Sequence, residues 1–357
     1  MVNKYNICKI IVKSLVVFRK LTKFVALIAI IMIQETVKTR VIGVDISHEK
    51  TAVGVVDIRG NILATTQFAT TEYEQVGNYL KVLGETICQL AEDNGGIELI
   101  RSVGISVPSG NYHTGCIENP PNLPWKGVTP LAAMLRDRIG IAVALANNAH
   151  TMGLAEQAFG AAHGMRDFIV VSLNSGVGSC IFSNGQAYRG ADGFAGEVGH
   201  TCIVPGGREC GCGKRGCLET YCSAKGIVRT AKELMEQSDQ PSLMRQVSEL
   251  TPRDVTAFCE QGDPLAIETY RKAGYALGFG LANYASVLNP EAIIFSGGVS
   301  RAGKWLLEPA NEAFESHVFH NIQGKVKFIV SLLDNHKREM LGASVLAWEV
   351  KEYSLFI

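Results

Sequence analysis

Three cysteines crowd into a short, glycine-rich segment in the second half of the chain, and one histidine shortly precedes them. They are Cys210, Cys212 and Cys217, with His200 before them. The intervening glycines let the backbone turn tightly enough for all three thiols to point inward. Three thiolates and one imidazole form a closed tetrahedral zinc site, which leaves no coordination position for water. The sequence therefore predicts a structural zinc ion bound by these four residues.

The other cysteines are scattered, which is not the pattern of a small secreted scaffold held together by disulfides. The crowding of three cysteines in a chain of 357 residues favours metal binding in a reducing compartment, and we expect a cytoplasmic protein. The scattered cysteines are expected to be small, buried apolar residues. They are Cys8, Cys88, Cys116, Cys180, Cys202, Cys222 and Cys259.

Length and charge limit the architecture and the partners. A chain of this length exceeds one ordinary compact domain and fits two. Its 34 basic and 34 acidic residues give a formal net charge of zero, so the basic excess that is typical of nucleic-acid binders is missing. No nucleic-acid partner is therefore expected.

Residues 1–39 differ from the rest of the chain. They contain an apolar run, residues 24–33, which as a helix would cover about 15 Å, or half of a bilayer core. The small-residue cleavage site of a signal peptide does not follow it. We interpret residues 1–39 as an N-terminal extension outside the fold, with Met32 as an alternative start. The other interpretation is a membrane-associated segment, without stable membrane insertion.

Strands and helices alternate along the remaining chain. Apolar runs bounded by turns predict strands at residues 41–45, 52–58, 62–68, 97–107, 142–145, 168–173, 292–295 and 326–330, and another directly after residue 178. Helical spacing and helix start signals predict helices at residues 73–93, 131–138, 149–159, from about 223, 264–288 and 339–352. Residues 41 and 168 each begin a strand, a turn and a second strand. This similarity predicts two related α/β halves with a ligand-binding cleft between them.

The residues around the predicted zinc ligands carry a family resemblance. The run Glu-Val-Gly-His at residues 197–200, together with the cysteines and Glu219, resembles the signature of the ROK family (repressors, open reading frames and kinases). Further matching stretches are residues 121–125, 193–197, 219–224 and 290–298. The resemblance covers about residues 41–352 and is greatest to bacterial glucokinases.

This resemblance implies an α/β fold of two domains, the sugar kinase or actin-like (ribonuclease H-like) fold, with a central cleft. We expect residues 40–147 and the C-terminal helix 337–353 to form the small domain. Residues 148–336 would form the large domain, which carries the zinc site. Since family members are commonly dimers or tetramers, a homo-oligomer is also expected.

The resemblance also implies a hexose pocket beside the zinc ion. In the family, the positions that match Glu197, His200 and Glu219 contact sugar hydroxyls, and Asn122 and Asn147 lie in motifs that line the same pocket. Carboxylate and imidazole groups suit this task, because a hydroxyl both donates and accepts hydrogen bonds. His200 would use one ring nitrogen for zinc and the other for the sugar. A hexose such as glucose is the expected ligand.

The two phosphate-binding turns depart from the family pattern. The first turn reads Asp-x-Gly-Gly-Thr in the family, but residues 45–49 read Asp-Ile-Ser-His-Glu. Side chains, including the carboxylate of Glu49, thus occupy a turn in which phosphate must approach backbone N–H groups. The second turn reads Gly-Thr-Gly-x-Gly in the family and Asn-Ser-Gly-Val-Gly at residues 174–178, where Asn174 is expected to take the left-handed conformation of the lost glycine. The residues left to contact nucleotide are Asp45, Ser175, Gly176, Gly178, Gly297 and Gly298.

The catalytic base of the family is also replaced. The family pattern Asn-Asp-Ala-Asn becomes Asn-Asn-Ala-His at residues 147–150, so Asn148 stands where the aspartate takes a proton from the attacking hydroxyl. An amide can hydrogen-bond the sugar but cannot accept its proton at neutral pH, and loss of a general base costs about 10²- to 10⁴-fold in rate. His150 lies roughly 200° further around the helix and is expected to point away.

Two functions follow from this pattern. The first is a hexose-binding protein of glucokinase ancestry whose ATP-dependent phosphorylation is weak or lost, so that it acts as a sugar sensor or regulator. The alternative is an active ATP:hexose kinase that uses ATP and Mg²⁺ and tolerates Asn148, because phosphoryl transfer depends mostly on positioning and electrostatics. Residues 1–39 lack the pattern of a helix-turn-helix domain, so DNA binding is not expected.

Overall fold

The computed structural model describes residues 37–350, which form two five-stranded sheets covered by helices. The strands are β1 (Arg40–Ile46), β2 (Lys50–Asp57), β3 (Ile62–Ala69), β4 (Ile100–Val107), β5 (Gly110–Asn111), β6 (Cys116–Glu118), β7 (Val128–Thr129), β8 (Val143–Asn147), β9 (Phe168–Leu173), β10 (Val177–Ser183), β11 (Gln186–Ala187), β12 (Ala292–Ser296) and β13 (Lys327–Val330). The helices are α1 (Val76–Glu92), α2 (Leu131–Ile139), α3 (Asn148–Phe159), α4 (Glu219–Cys222), α5 (Ala224–Gln237), α6 (Pro252–Glu260), α7 (Pro264–Leu288), α8 (Lys304–His317) and α9 (Asn335–Glu349).

The two large sheets have the same arrangement of strands. The first has the order β3-β2-β1-β4-β8, and the second has the order β11-β10-β9-β12-β13. In each sheet the first two strands form an antiparallel hairpin, and the later strands run parallel to the first one. The related α/β halves that the sequence predicts are therefore confirmed. A third, small sheet consists of β5, β6 and β7.

Each large sheet has its own apolar core. Leu83 of α1 and Leu135 of α2 are buried against the first sheet. Leu277 of α7 and Phe314 of α8 are buried in the cluster that includes Phe295 of the second sheet. Burial of a large apolar side chain of this kind stabilises a fold by about 1.5–3 kcal/mol. The two cores hold the strand ends, where ligands bind in such folds, in fixed positions.

The C-terminal helix α9 packs against the first sheet and against α3. At Gly104 of β4, an added Cβ atom would lie 1.9 Å from the carbonyl oxygen of Ala343. Only glycine, which has no side chain, allows so close a contact. The C-terminal helix thus contacts both the first sheet and α3. The division into residues 40–147 with 337–353, and residues 148–336, stays a prediction, and residues 351–353 lie outside the described part of the chain.

Several predicted boundaries are wrong by a few residues. The helix predicted from residue 73 begins at Val76, because Thr70–Glu72 form a 3-10 turn before it. The strand predicted from residue 97 begins at Ile100, after another 3-10 turn at Ile97–Leu99. The last helix begins at Asn335 rather than at residue 339, since its polar first turn carries no apolar periodicity.

The scattered cysteines are only partly as predicted. Cys180, Cys222 and Cys259 are buried, whereas Cys88 and Cys116 are partly exposed. The prediction is wrong for Cys202, which is exposed because it lies in a short surface bridge opposite the buried Cys217. Cys8 lies outside the described residues.

Between residues 37 and 350, none of the helices combines the length and the apolar composition that a bilayer span requires. The apolar run at residues 24–33 and most of the predicted N-terminal extension lie outside the described residues.

Candidate functional site

The four predicted zinc ligands lie together in space. The ligand atoms of His200, Cys210, Cys212 and Cys217 are all within 4.8 Å of one another. Cys210 Sγ lies 3.6 Å from His200 Nδ1, and Cys212 Sγ lies 3.7 Å from Cys217 Sγ. Two ligands bound tetrahedrally to one zinc ion are ~3.6 Å apart for nitrogen and sulfur and ~3.8 Å apart for two sulfurs. The spacing and the donor set therefore fit a zinc ion, with Nδ1 as the nitrogen ligand.

The backbone of this segment turns back on itself to bring the ligands together. The N–H of Cys210 donates to the carbonyl oxygen of Lys214, and the N–H of Ile203 donates to that of Gly216, each at 2.9 Å. Gly216 has a φ of +78°, and a Cβ atom there would lie 1.8 Å from the carbonyl oxygen of Val204. Glycine is therefore required immediately before the last cysteine ligand.

Two of the three thiols, those of Cys210 and Cys217, favour the protonated form when no cation is near them. For Cys212, desolvation raises the pKa, but hydrogen bonds from Lys214 and the neighbouring thiols outweigh it and lower the pKa below its usual value. Burial raises the pKa of Cys217, and the neighbouring thiols raise it further. Burial likewise raises the pKa of Cys210. Since zinc binds thiolates, metal binding here would release protons and remove the mutual repulsion of the sulfurs.

A cavity of about 250 Å³ opens beside the zinc segment. It is bounded by the end of β8, the start of α3, the turn between β9 and β10, and Glu339 in the second turn of α9. Of the predicted site residues, it brings together Asn147, Asn148, Ser175, Gly176, Gly178, Glu197 and Glu219. Sequence reasoning missed Met152, Ser172 and Glu339, which also line it.

The start of α3 places two asparagines in this cavity. The side chain of Asn147 accepts the N–H of Ala149 at 2.9 Å and so caps the helix. Asn148 is the first residue of the helix and is exposed. His150 is buried, and its Nε2 lies 3.2 Å from the carbonyl oxygen of Ala195. His150 is not among the residues that line the cavity, and its place away from Asn148 agrees with the sequence prediction.

Glu219 joins the zinc segment to the second phosphate turn. Its Oε2 accepts the N–H of Val177 at 3.0 Å, and its Oε1 lies 3.9 Å from Cys210 Sγ. Glu197 lines the same cavity; desolvation raises its pKa, the charge of His200 lowers it, and the charge of Glu219 raises it again. Glu219 therefore contacts both the metal-binding segment and the turn between β9 and β10.

The expected conformation of Asn174 is wrong. Among non-glycine residues of the described chain, positive φ occurs at Ser109, Asn119, Asn184 and Asn289, and not at Asn174. The side chain of Asn174 instead bridges two elements, because its Oδ1 accepts the N–H of Gly298 at 2.9 Å while its Nδ2 donates to Ser172 Oγ at 2.8 Å. Asparagine thus ties the second turn to the Gly297–Gly298 turn.

The first turn, at residues 45–49, is closed by its own hydrogen bonds. The N–H of Ser47 donates to the carbonyl oxygen of Lys50 at 2.9 Å, and the N–H of Lys50 donates to Ser47 Oγ at 3.2 Å. Glu49 is exposed, and its carbonyl oxygen accepts the N–H of Thr70. The backbone N–H groups of Ser47 and Lys50 are therefore already occupied.

Asn122 lies in a second cavity, of about 550 Å³, together with His48 of the first turn. His200 is half-buried and faces the thiols rather than lining the 250 Å³ cavity. Asn122 thus lines a different cavity from Glu197 and Glu219, and His200 lines neither of the two.

Comparison with known proteins decides the family of the chain. The family model described as "ROK family" matches residues 41–350. The chain belongs to the ROK family. It is 34% identical over 255 residues to a glucokinase of Halalkalibacterium halodurans, covering 70% of this chain and 76% of that protein. It is also 31% identical over 223 residues to a xylose repressor of Caldicellulosiruptor bescii, covering 62% of this chain and 56% of that protein.

A solved structure gives the same result for the fold. The crystal structure of a ROK family glucokinase from Streptomyces griseus, in complex with glucose and AMPPNP, superposes with a TM-score of 0.69. The two sequences are 30% identical, and the superposition covers 87% of this chain and 100% of the glucokinase. The predicted α/β fold of the ROK sugar kinases, which is the actin-like fold, is therefore confirmed.

One feature of this ROK chain that the sequence did not reveal is the interaction of Asp45 with Glu339, which lines the cavity with Asn148. Burial and then the negative charge of Glu339 raise the pKa of Asp45 to about 7, which a hydrogen bond from Ser106 partly opposes. Glu339 Oε1 also pairs with Arg338 Nη2 at 2.9 Å. Glu339 belongs to the C-terminal helix, far along the chain from the other motifs, so no local pattern marks it.

A cavity of about 610 Å³ adjoins the second turn of the ROK fold at Ser175. The basic side chains Lys225, Arg229 and Lys232 of α5 line it. Sequence analysis missed these three residues, because basic residues on a solvated helix face carry no distinguishing pattern.

Asp45→Asn is expected to stabilise the protein at high pH. Because its folded-state pKa of about 7 lies above the unfolded value, Asp45 contributes stability at low pH that is lost as the pH rises through 7. The advantage of Asp45→Asn in the free energy of unfolding is expected to be larger at pH 8 than at pH 5 by about 2 kcal/mol. Urea denaturation at both pH values measures it, with Asp239→Asn, at an exposed site, as the control. If the two proteins differ in free energy of unfolding by the same amount at both pH values, the raised pKa of Asp45 is contradicted.

Proposed function

We propose that the protein binds a hexose such as glucose in the cleft but phosphorylates it weakly or not at all, and so acts as a sugar sensor or regulator. Asn148 carries this proposal. It is exposed at the start of α3 and lines the cavity, where a hexokinase needs a group that accepts the proton of the attacking hydroxyl. The occupied donors of the first turn support it, because Ser47 and Lys50 direct their N–H groups to each other rather than to a phosphate.

The proposed sugar contacts come from Glu197, Glu219 and Asn148, with Asn147 behind them. A cavity of about 250 Å³ suits one monosaccharide, and carboxylate and amide groups pair with vicinal hydroxyls. Zinc bound by His200 and the cysteines would order the segment that ends directly before Glu219. The Streptomyces griseus glucokinase, which was solved with glucose, supports a hexose as the ligand class.

An active ATP:hexose kinase is the second candidate, and Glu339 is the observation that favours it. Its carboxylate lines the cavity with Asn148 and offers a proton acceptor that the family motif does not predict. Phosphates held near Ser175, with Mg²⁺, would also lie close to the basic side chains Lys225 and Arg229. In this case Asp45, Gly176, Gly178, Gly297 and Gly298 would surround the nucleotide, as the sequence predicts.

The role of a sensor also has support among relatives. The similarity to a xylose repressor shows that the family includes proteins with regulatory names. A homo-oligomer, a cytoplasmic location and the absence of a nucleic-acid partner stay predictions for this chain.

Hexose binding is tested by calorimetric titration of the zinc-loaded protein with glucose, mannose and galactose. Glu197→Gln is expected to weaken binding of the preferred hexose by about 10- to 100-fold, because a charge-assisted hydrogen bond is replaced by a neutral one. Glu312→Gln, an exposed position on α8, is the matched control and should leave the affinity unchanged. No binding of any hexose by the wild type would refute the proposed ligand class. Equal affinity of Glu197→Gln and wild type would remove Glu197 from the site.

A further inference from the structure

We infer that His48 is a positioning residue of the hexose site: its imidazole holds the loop that carries Asn122, so the first turn braces the sugar loop instead of binding phosphate. The inference rests on the proposed hexose binding and on the sugar contact that the family resemblance implies for Asn122, which lines a different cavity from Glu197 and Glu219. The loop in question is residues 119–127, which we call the sugar loop.

The contact between the turn and the sugar loop is direct. His48 Nδ1 lies 2.5 Å from the backbone carbonyl oxygen of Asn122. A carbonyl oxygen can only accept, so Nδ1 carries the proton and donates it. The two residues are 74 positions apart in sequence, so the bond links the first turn to a distant segment of the chain.

The turn is rigid enough to act as a support. Ser47 and Lys50 are joined by hydrogen bonds in both directions, at 2.9 and 3.2 Å. Glu49 is fixed to the start of the next segment, because its carbonyl oxygen accepts the N–H of Thr70 at 3.0 Å. His48 thus projects from a turn whose neighbours on both sides are held in place.

The sugar loop is anchored by two buried side chains near its middle. Leu123 and Trp125 are buried, and Trp125 Nε1 donates to the carbonyl oxygen of Tyr73 at 3.1 Å. Asn122 itself is exposed, directly before this anchor. The hydrogen bond from His48 fixes the backbone at the residue whose side chain is predicted to contact the sugar.

The two motifs also enclose one space. His48 and Asn122 both line the cavity of about 550 Å³, with Pro121 and Pro124 on the loop side. A glycine, which the family pattern has at position 48, lacks a side chain and leaves this bond unmade. Histidine in place of glycine at position 48 therefore has two effects. It fills space in the turn where a phosphate would bind, and it adds a hydrogen bond to the sugar loop.

The experiment compares wild type, His48→Ala and His48→Gln, with His163→Ala as the control at an exposed histidine on the opposite half of the molecule. Glucose affinity is measured by calorimetry on zinc-loaded protein. Amide hydrogen exchange of residues 119–127 is measured without sugar. We expect His48→Ala to weaken glucose binding by about 10-fold and to speed exchange in the sugar loop by a similar factor. His48→Gln, which keeps an N–H donor, should restore most of both, and His163→Ala should change neither.

The two readouts separate this inference from the proposed function. If wild type binds no hexose, hexose binding fails, while the exchange of residues 119–127 still decides whether His48 braces the loop. If His48→Ala leaves both glucose affinity and loop exchange unchanged, the inference is overturned. It is also overturned if exchange speeds up over the whole chain, since His48 would then have a general structural role.

Discussion

Asn148→Asp is expected to raise the rate of ATP-dependent hexose phosphorylation by about 10²-fold or more, because it restores the missing proton acceptor. Asn148 is exposed, lines the cavity and begins α3. The positive end of the helix dipole would favour an ionised carboxylate at this position. Glucose affinity should change little, since amide and carboxylate both accept a hydrogen bond from the sugar hydroxyl.

A coupled assay with saturating glucose and ATP-Mg²⁺ measures this effect, and Glu339→Gln supplies the matched comparison. If Glu339 already accepts the proton in wild type, Glu339→Gln abolishes wild-type turnover but spares the Asn148→Asp protein. If Asn148→Asp brings no gain although it binds ATP-Mg²⁺ and glucose, the missing base is not the main defect. The closed turn that contains Ser47 would then be the remaining block.

Loss of zinc is expected to remove hexose binding and to lower the melting temperature by about 10 °C. Without zinc, the four metal–ligand bonds no longer hold this segment in its folded arrangement. Through Cys210 and Glu219, the metal site also adjoins the cavity and the turn at Val177. Once the segment relaxes, Glu219 loses its position relative to the sugar, and glucose affinity should fall at least 100-fold.

Cys212→Ser tests this effect with little disturbance of packing, because Cys212 is an exposed ligand. The matched control is Cys202→Ser, which changes an exposed cysteine beside the site that is not among the ligand group. Metal content, thermal unfolding and glucose titration are compared for the two variants. Full zinc content and an unchanged melting temperature in Cys212→Ser would contradict the assigned ligand set. Wild-type protein that contains no zinc would contradict the prediction of a zinc site.

Strands, helix starts and the metal ligands could be predicted from the sequence, because neighbouring residues determine them. The apolar run at β1 predicts a strand because buried parallel strands are nearly continuous in apolar residues. The glycine-containing turn after β9 predicts where that strand ends. The Asp263-Pro264 pair marks the start of α7, where Asp263 Oδ1 accepts the N–H groups of Leu265 and Ala266. The spacing of the cysteines predicted the clustering of the metal ligands, because tight turns leave those side chains few directions.

Contacts between distant segments could not be predicted from the sequence, because no neighbouring residues signal them. Glu339 enters the cavity because α9 packs on β1 and β4, and no neighbouring residue signals this. The bond from His48 to Asn122 depends on the relative position of two loops. Asn174 was misjudged because its side chain found a partner in Gly298, which removes the need for a left-handed backbone. Tertiary partners, rather than propensity, decided each of these cases.

The most direct test of the central claim is the steady-state turnover of zinc-loaded wild-type protein with saturating ATP-Mg²⁺ and a hexose that calorimetry shows to be bound. Active kinases turn over at about 1–100 per second. A bound hexose with turnover below about 0.1 per second is the expected result, given the cost of a missing base. Turnover at ordinary kinase rates would contradict the claim and establish the protein as a working hexose kinase despite Asn148.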